Sequence, residues 1–277
     1  MKSEMNNYLN QNGVLFAFNI WDINSAKAVI DGAAIKRKNV ILQTSASVYK
    51  QISQKQLREF VNSYAEEKNI TALLHLDHCK DIELINNAIE NRWDSVMIDA
   101  SDKELEENIR ITNKAADWAH RYGVLAEAEI GQVKGVEDDI EVRRSEVASI
   151  QDINRFMKET RADMIAVAFG NAHGEYKGEP ELKYDLVEYT VRQADIPFVV
   201  HGGSGLKDSV LKKLISIPGV KKINISTDVK LAYRQGILYA SQNGFLEQKG
   251  FQATKVEVCI HDAIVDMVNK KLDLLPE

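Results

Sequence analysis

The stretch ITALLHLDHCKDIELINNAIENRWDSVMIDAS, residues 70–101, contains one complete structural unit. An apolar run rich in branched side chains, ITALLHLD (70–77), gives way to DIELINNAIENR (81–92), whose apolar residues recur at helical spacing. A second short run, SVMIDAS (95–101), follows at once. Strand, helix and strand in succession make a βαβ unit, in which the two strands lie parallel and the crossover is right-handed.

The alternation continues on both sides. Upstream lie VLFAFNI (14–20) and NVILQTS (39–45); downstream lie VLAEAEIG (124–131), DMIAVAFG (163–170), PFVVHGG (197–203) and KKINIST (221–227). Helical spacing fills the gaps, as in QKQLREFVNSYAEEK (54–68) and ELEENIRITNKAADWAHRYG (104–123), so a helix is expected after each strand. Eight such units in roughly 250 residues predict an α/β chain folded as a single (β/α)8 TIM barrel. No GxGxxG follows the first run and no Pro/Ser/Gly linker divides the chain, so one catalytic domain is expected over residues 1–277. The segment KVEVCIHDAIVDMVNKKL (255–272) supplies an extra C-terminal helix.

Composition narrows the function. A net charge of -6 argues against nucleic acid as the main partner, because phosphate-backbone binding requires a basic face. No run reaches the roughly 18 apolar residues of a membrane span. The polar start MKSEMNNYLNQNG lacks the apolar core of a secretory signal, which makes the cytoplasm the expected location. Cys79 and Cys259 are far apart and form no CxxC pair, so neither a disulfide framework nor a zinc knuckle is indicated.

In a barrel enzyme the chemistry gathers at the C-terminal ends of the strands. Here those ends carry Asn19, Ser45, Asp77 with His78, Asp99, Glu127 with Glu129, His173, His201, and Asn224 with Ser226 and Thr227. A buried strand gains by staying apolar, so polar ends on all eight strands call for an explanation beyond packing. Any one of them alone, Ser45 for example, is more often a helix cap. His78, His173 and His201 end three different strands, as an open three-histidine metal site would require, although no compact motif such as HExxH fixes a metal. His120 and His261 read as structural or solvated. The glycines of HGGSG (201–205), with Gly174 and Lys177 in HGEYKG, suit either a phosphate cradle at a helix start or tight turns in a compact barrel.

Taken together, AFNI (17–20), HLDHC (75–79), SVMIDAS (95–101), AEAEIGQVKGVEDD (126–139), GNAHGEYKG (170–178), HGGSG (201–205) and KINISTDVK (222–230) give the chain, over nearly its whole length, a resemblance to the class II zinc-dependent ketose-bisphosphate aldolases of the fructose- and tagatose-bisphosphate group. The resemblance implies Zn2+ held by His78, His173 and His201, with Asp99 and Glu129 able to hold a displaced or second ion. It implies Asp77 and Glu137 as catalytic acids and bases, and His75 as a supporting residue. Substrate would be bound by Asn19, Ser45, Gly174, Lys177, Gly202, Gly203, Ser204, Asn224, Ile225, Ser226, Thr227 and Lys230. A monovalent cation, Na+ or K+, is expected beside the phosphate.

The implied reaction is reversible cleavage of a ketose phosphate, such as tagatose or fructose 1,6-bisphosphate, to dihydroxyacetone phosphate and an aldehyde through a zinc-stabilised enediolate. A homodimer or homotetramer, with an accessory subunit in some relatives, is implied in the same way. A different ketose phosphate, or a non-catalytic sugar-phosphate-binding role, is the alternative reading. A Schiff-base mechanism would need a lysine reaching the barrel mouth, and Lys221 and Lys222 stand at the start of their strand. The chain departs from the family's usual pattern at Trp21, Asp22, Asn171 and Ser226.

Overall fold

The structure is a computed structural model that describes residues 13–137, 140–142, 147–174, 176, 178–247 and 249–276, with Met5 and Leu9. Of residues 134, 136, 137 and 140–142 it describes the backbone alone. The strands in chain order are β1 (Leu15–Asn19), β2 (Val40–Ser45), β3 (Ala72–Cys79), β4 (Ser95–Ile98), β5 (Leu125–Ile130), β6 (Lys134–Glu137), β7 (Ile140–Val142), β8 (Met164–Val167), β9 (Ala172–His173), β10 (Phe198–Val200) and β11 (Val220–Ile225). The helices are α1 (Ile23–Lys36), α2 (Ala46–Gln51), α3 (Gln54–Glu67), α4 (Ile82–Glu90), α5 (Leu105–Arg121), α6 (Ile150–Glu159), α7 (Tyr184–Gln193), α8 (Asp208–Ile215), α9 (Thr227–Gln242) and α10 (Ala253–Leu272).

Eight parallel strands close a barrel in the order β1, β11, β10, β8, β5, β4, β3, β2. The ring is completed where β1 pairs with β11, placing Leu15 opposite Lys222 and Ala17 opposite Asn224. All eight runs read as strands in the sequence are the barrel staves. The extra C-terminal helix, α10, packs on α9 and α1. Among the described residues, no helix is long and apolar enough to cross a membrane.

One expectation is corrected. A helix does not directly follow every strand: β6 and β7 intervene after β5, and β9 after β8, before α6 and α7 resume the pattern. These three short strands make their own sheet, in the order β7, β6, β9. Gly135 explains how β6 can lie against β9. Its φ is +125°, and a Cβ there would meet the carbonyl oxygen of His173 at 2.1 Å, an approach that a side chain forbids.

Side chains alternate along each strand, and the alternation yields two cores. Outward residues such as Phe16, Phe18, Leu42, Leu74, Leu76, Val96 and Ala128 pack beneath the helices. Inward residues Leu15, Ala17, Ile41, Leu73, Leu125, Met164, Ala166 and Val199 form a second cluster inside the lower half of the barrel. Met5 and Leu9 join that cluster and are fully buried. Polar caps start several helices at the opposite rim: Asp22 forms a reciprocal capping box with Ser25 at α1, and Asp81 caps α4.

Candidate metal and active site

On β3 the period of two brings His75 and Asp77 to the inner face and should send His78 outward. The register of β3 against β4 shifts between Leu76 and Cys79, and His78 adopts a left-handed φ of 43°. This conformation costs a non-glycine residue on the order of 1–3 kcal/mol and persists only where the surrounding structure enforces it. Its effect here is that two consecutive residues, Asp77 and His78, both serve the mouth of the barrel.

His78 meets His173 from β9 and His201 just past β10. Ring centroids lie 4.9 Å apart for His78 and His173, 4.5 Å for His78 and His201, and 5.9 Å for His173 and His201. One ligand nitrogen from each ring lies within 4.8 Å of the other two. Two of the rings are oriented from behind by carboxylates. His78 Nδ1 is 3.0 Å from Asp99 Oδ2, and Asp99 Oδ1 accepts bonds from the backbone N–H and hydroxyl of Ser101. His201 Nε2 is 2.8 Å from Glu127 Oε1, while Lys222 donates to Glu127 Oε2 at 2.8 Å. The nitrogens that then remain for a metal are Nε2 of His78 and Nδ1 of His201. This is the carboxylate–histidine arrangement that orients ligands in metalloproteins, and three imidazoles with an open position suit Zn2+.

The electrostatics agree with a site for a cation. Burial and repulsion from His78 act against protonation of His201, yet Glu127 and Glu129 overcome them and raise it to about 9. Burial likewise disfavours the charged form of His78, but Asp77, Asp99 and Glu129 hold it well above the usual histidine range. His75 is moved the other way, well below that range, by burial and by the ammonium of Lys222. Its Nδ1 is 2.7 Å from the Ser95 hydroxyl.

Asp77, 1% exposed, is fixed from two sides: Gln43 donates to Oδ2 at 2.8 Å and Asn224 to Oδ1 at 3.3 Å. The same Gln43 amide donates to Asn19 Oδ1 at 2.7 Å, so Asn19, Gln43, Asp77 and Asn224 form one buried polar network. Asp99 and Glu129 come to the centre in different positions. Asp99 stands behind His78, whereas Glu129 Oε2 lies 3.0 Å from His201 Nδ1, outside hydrogen-bonding geometry. Glu137 lies on β6, with its side chain outside the described atoms, and Lys177 lies outside the described residues.

The glycine-rich loop is stitched to the start of α9. Gly202 has φ +66°, and a Cβ on it would strike the Ala172 carbonyl oxygen at 2.1 Å. The Gly203 N–H donates to Asn224 O, and Ser204 Oγ accepts from the backbone N–H groups of Ser226 and Asp228. Gly174 also has a positive φ of 87°. Ile225 ends β11, Ser226 precedes α9 and Thr227 opens it, so this helix start sits at the strand-end rim. Ser45 caps α2, accepting from Val48 N at 3.4 Å. Lys230 lines a cavity of about 350 Å³ with Asn19, Ile20, Trp21, Val48 and Tyr233.

Three contributors are absent from the sequence-based site. Gln43 and Lys222 are polar residues at inward positions inside their strands, each two residues before another inward polar residue (Ser45 and Asn224), so the period of two applied to polar residues finds them. Lys222 stands near the start of β11 as expected, but it points into the barrel and reaches Glu127. Asn171 ties two strand ends together, accepting from Phe169 N and donating to His201 O. Its position in a glycine-flanked loop gives no periodic signal.

Comparison with known proteins adds an independent line. A family model described as class-II fructose-bisphosphate aldolase matches residues 2–276. A 6-phospho-5-dehydro-2-deoxy-D-gluconate aldolase of Bacillus velezensis is 34% identical over 260 residues, 92% of this chain and 87% of that protein. A fructose-bisphosphate aldolase of Geobacillus stearothermophilus is 35% identical over 240 residues, 86% of this chain and 83% of its own. Among solved structures, the YdjI aldolase of Escherichia coli K12 superposes with a TM-score of 0.83 at 28% identity, covering 99% of this chain and 97% of that one.

Proposed function

The chain belongs to the class II fructose-bisphosphate aldolase family, and from that premise we propose that it is a Zn2+-dependent aldolase that reversibly cleaves a ketose phosphate to dihydroxyacetone phosphate and an aldehyde. The observation that carries this reading is the meeting of His78, His173 and His201 beside the buried carboxylate of Asp77. A divalent ion held by these imidazoles supplies Lewis acidity toward a ketose carbonyl.

The residues around it divide the remaining work. Asp77, with one oxygen bonded by Gln43 and the other approached by Asn224, takes the proton of the hydroxyl that becomes the aldehyde and returns it in the condensation direction. Glu137 exchanges the proton on the dihydroxyacetone phosphate fragment. The start of α9 and the loop 201–205, with Gly174, receive the phosphate, where a helix N-terminus favours an anion. Asn19 and Ser45 line the mouth beside them. The aldehyde half extends toward the cavity of Trp21, Val48, Tyr233 and Lys230, whose ammonium suits an acidic end group.

The relatives carry different substrate names, so the sugar is a matter for direct assay. Fructose 1,6-bisphosphate, tagatose 1,6-bisphosphate and 6-phospho-5-dehydro-2-deoxygluconate, with ketose monophosphates, would be screened for dihydroxyacetone phosphate release. Release from at least one is expected. Hydrolysis or isomerisation of these compounds with no triose phosphate formed would contradict the reading.

A further inference from the structure

We propose that Lys222 is a positioning residue for the metal centre: from inside the barrel it holds Glu127, and through Glu127 it fixes which nitrogen of His201 faces the metal. The inference rests on the metal-site reading above but not on the identity of the sugar.

Lys222 and Glu127 are both 0% exposed. A buried ammonium and carboxylate each lose their hydration, and apolar side chains of similar volume often replace such a pair without loss of stability. Lys222 sits opposite Leu15 on one side and Val199 on the other, both apolar. Core packing therefore does not account for it, whereas the pair's second contact does.

Glu127 bonds Lys222 through Oε2 and His201 through Oε1, each at 2.8 Å, so the carboxylate is held between the two. An ionised carboxylate only accepts hydrogen bonds. His201 must then keep a proton on Nε2, so that Nδ1, on the side of His78 and His173, is the nitrogen whose proton a metal would displace. Without Lys222, Oε2 would be left buried with His75 Nε2 3.6 Å away. Turning toward that ring would draw Oε1 from His201.

The test is made on the full-length chain with K222M, K222Q, E127Q and the double variant E127Q/K222M. Zn2+ is titrated against a chromophoric chelator, and the visible absorption of the Co2+-loaded protein reports ligand geometry. K222M is expected to weaken Zn2+ binding by about 10–100-fold, the usual effect of losing an outer partner of a metal ligand, and to shift the Co2+ bands. K222Q keeps an N–H donor at the same place, so it should fall between wild type and K222M and covers the case in which K222M does not fold. In the E127Q background K222M should cause no further loss. Wild-type Zn2+ affinity and Co2+ bands in folded K222M, with only a lower melting temperature, would overturn the inference. So would an undiminished effect in the E127Q background. Failure of the wild-type chain to bind Zn2+ would instead overturn the metal-site reading beneath it.

Discussion

At the lower end of the barrel the inward side chains are Leu15, Ile41, Leu73, Leu125, Met164 and Val199, closed off by Met5 and Leu9. Two to four residues further along the same strands, the inward positions carry Asn19, Gln43, His75 with Asp77, Glu127 with Glu129, and His201. All of these are buried. The same strands run through both ends; at the upper end of β3 the register shift against β4 and the left-handed φ of His78 add to the difference in side chains. The apolar layer gains stability by excluding water, at about 25 cal/mol per Å². The polar layer accepts desolvation and, at His78, backbone strain, in return for a set of groups held in fixed orientation. Stability and chemistry are thus stacked along one axis, and substitutions at the two ends should separate them.

The largest effect is expected at the upper end. Replacing Asp77 by alanine should lower kcat by about 10²–10⁴-fold, the range for losing a general acid or base, while Zn2+ stays bound. Full turnover in this variant would remove Asp77 from the mechanism. At the lower end, Leu73→Ala should cost about 2–5 kcal/mol in chemical denaturation and leave turnover per folded molecule unchanged. A fall in kcat with unaltered stability would show that the two ends are not separable.

The third expectation concerns pH. In the metal-free chain His201 is raised to about 9 from an ordinary 6.5, so its proton favours the folded state. That contribution is complete below pH 6.5 and lost as pH rises through 9. The melting temperature of the metal-free protein should therefore fall across this interval, and saturating Zn2+, which takes the proton's place, should remove the decline. Parallel profiles with and without Zn2+ would count against the assignment. The smallest effect is expected from Ser204→Ala, which leaves the N–H groups of Ser226 and Asp228, at the start of α9, without this acceptor. A loss of about 0.5–2 kcal/mol in stability is the usual range for a helix cap. An accompanying rise in KM for the phosphorylated ketose would tie this cap to phosphate binding.

Much of this contrast was legible in the sequence, and what was not has physical reasons. The eight staves showed as short branched runs because a parallel strand buried on both faces is apolar on both. His75, His78 and His201 stood out because they interrupt or end such runs, whereas His173 lies beyond its run and sits on β9 rather than at the end of a barrel strand. The left-handed turn at His78 was hidden: period two alone assigns it to the wrong face, and only the register shift against β4 reverses this. Lys222 and Gln43 lie in strand interiors, where polarity at strand ends gives no signal, although each shares a face with a site residue. Met5 and Leu9 lie in the polar stretch 1–13, where scattered apolar residues form no run long enough to read. The β6 and β7 excursion is short, and its pairing with β9 depends on the approach that Gly135 permits, which is a tertiary fact.

The central claim is that three imidazoles from β3, β9 and the end of β10 hold one catalytic divalent ion. Its most direct test is metal content and ketose phosphate cleavage measured together, before and after chelation, in the wild type and in His173→Ala. One ion per chain, cleavage abolished by chelator and restored by Zn2+, and loss of both in the variant are predicted. Cleavage that persists at the full rate in protein shown to be free of metal would contradict it.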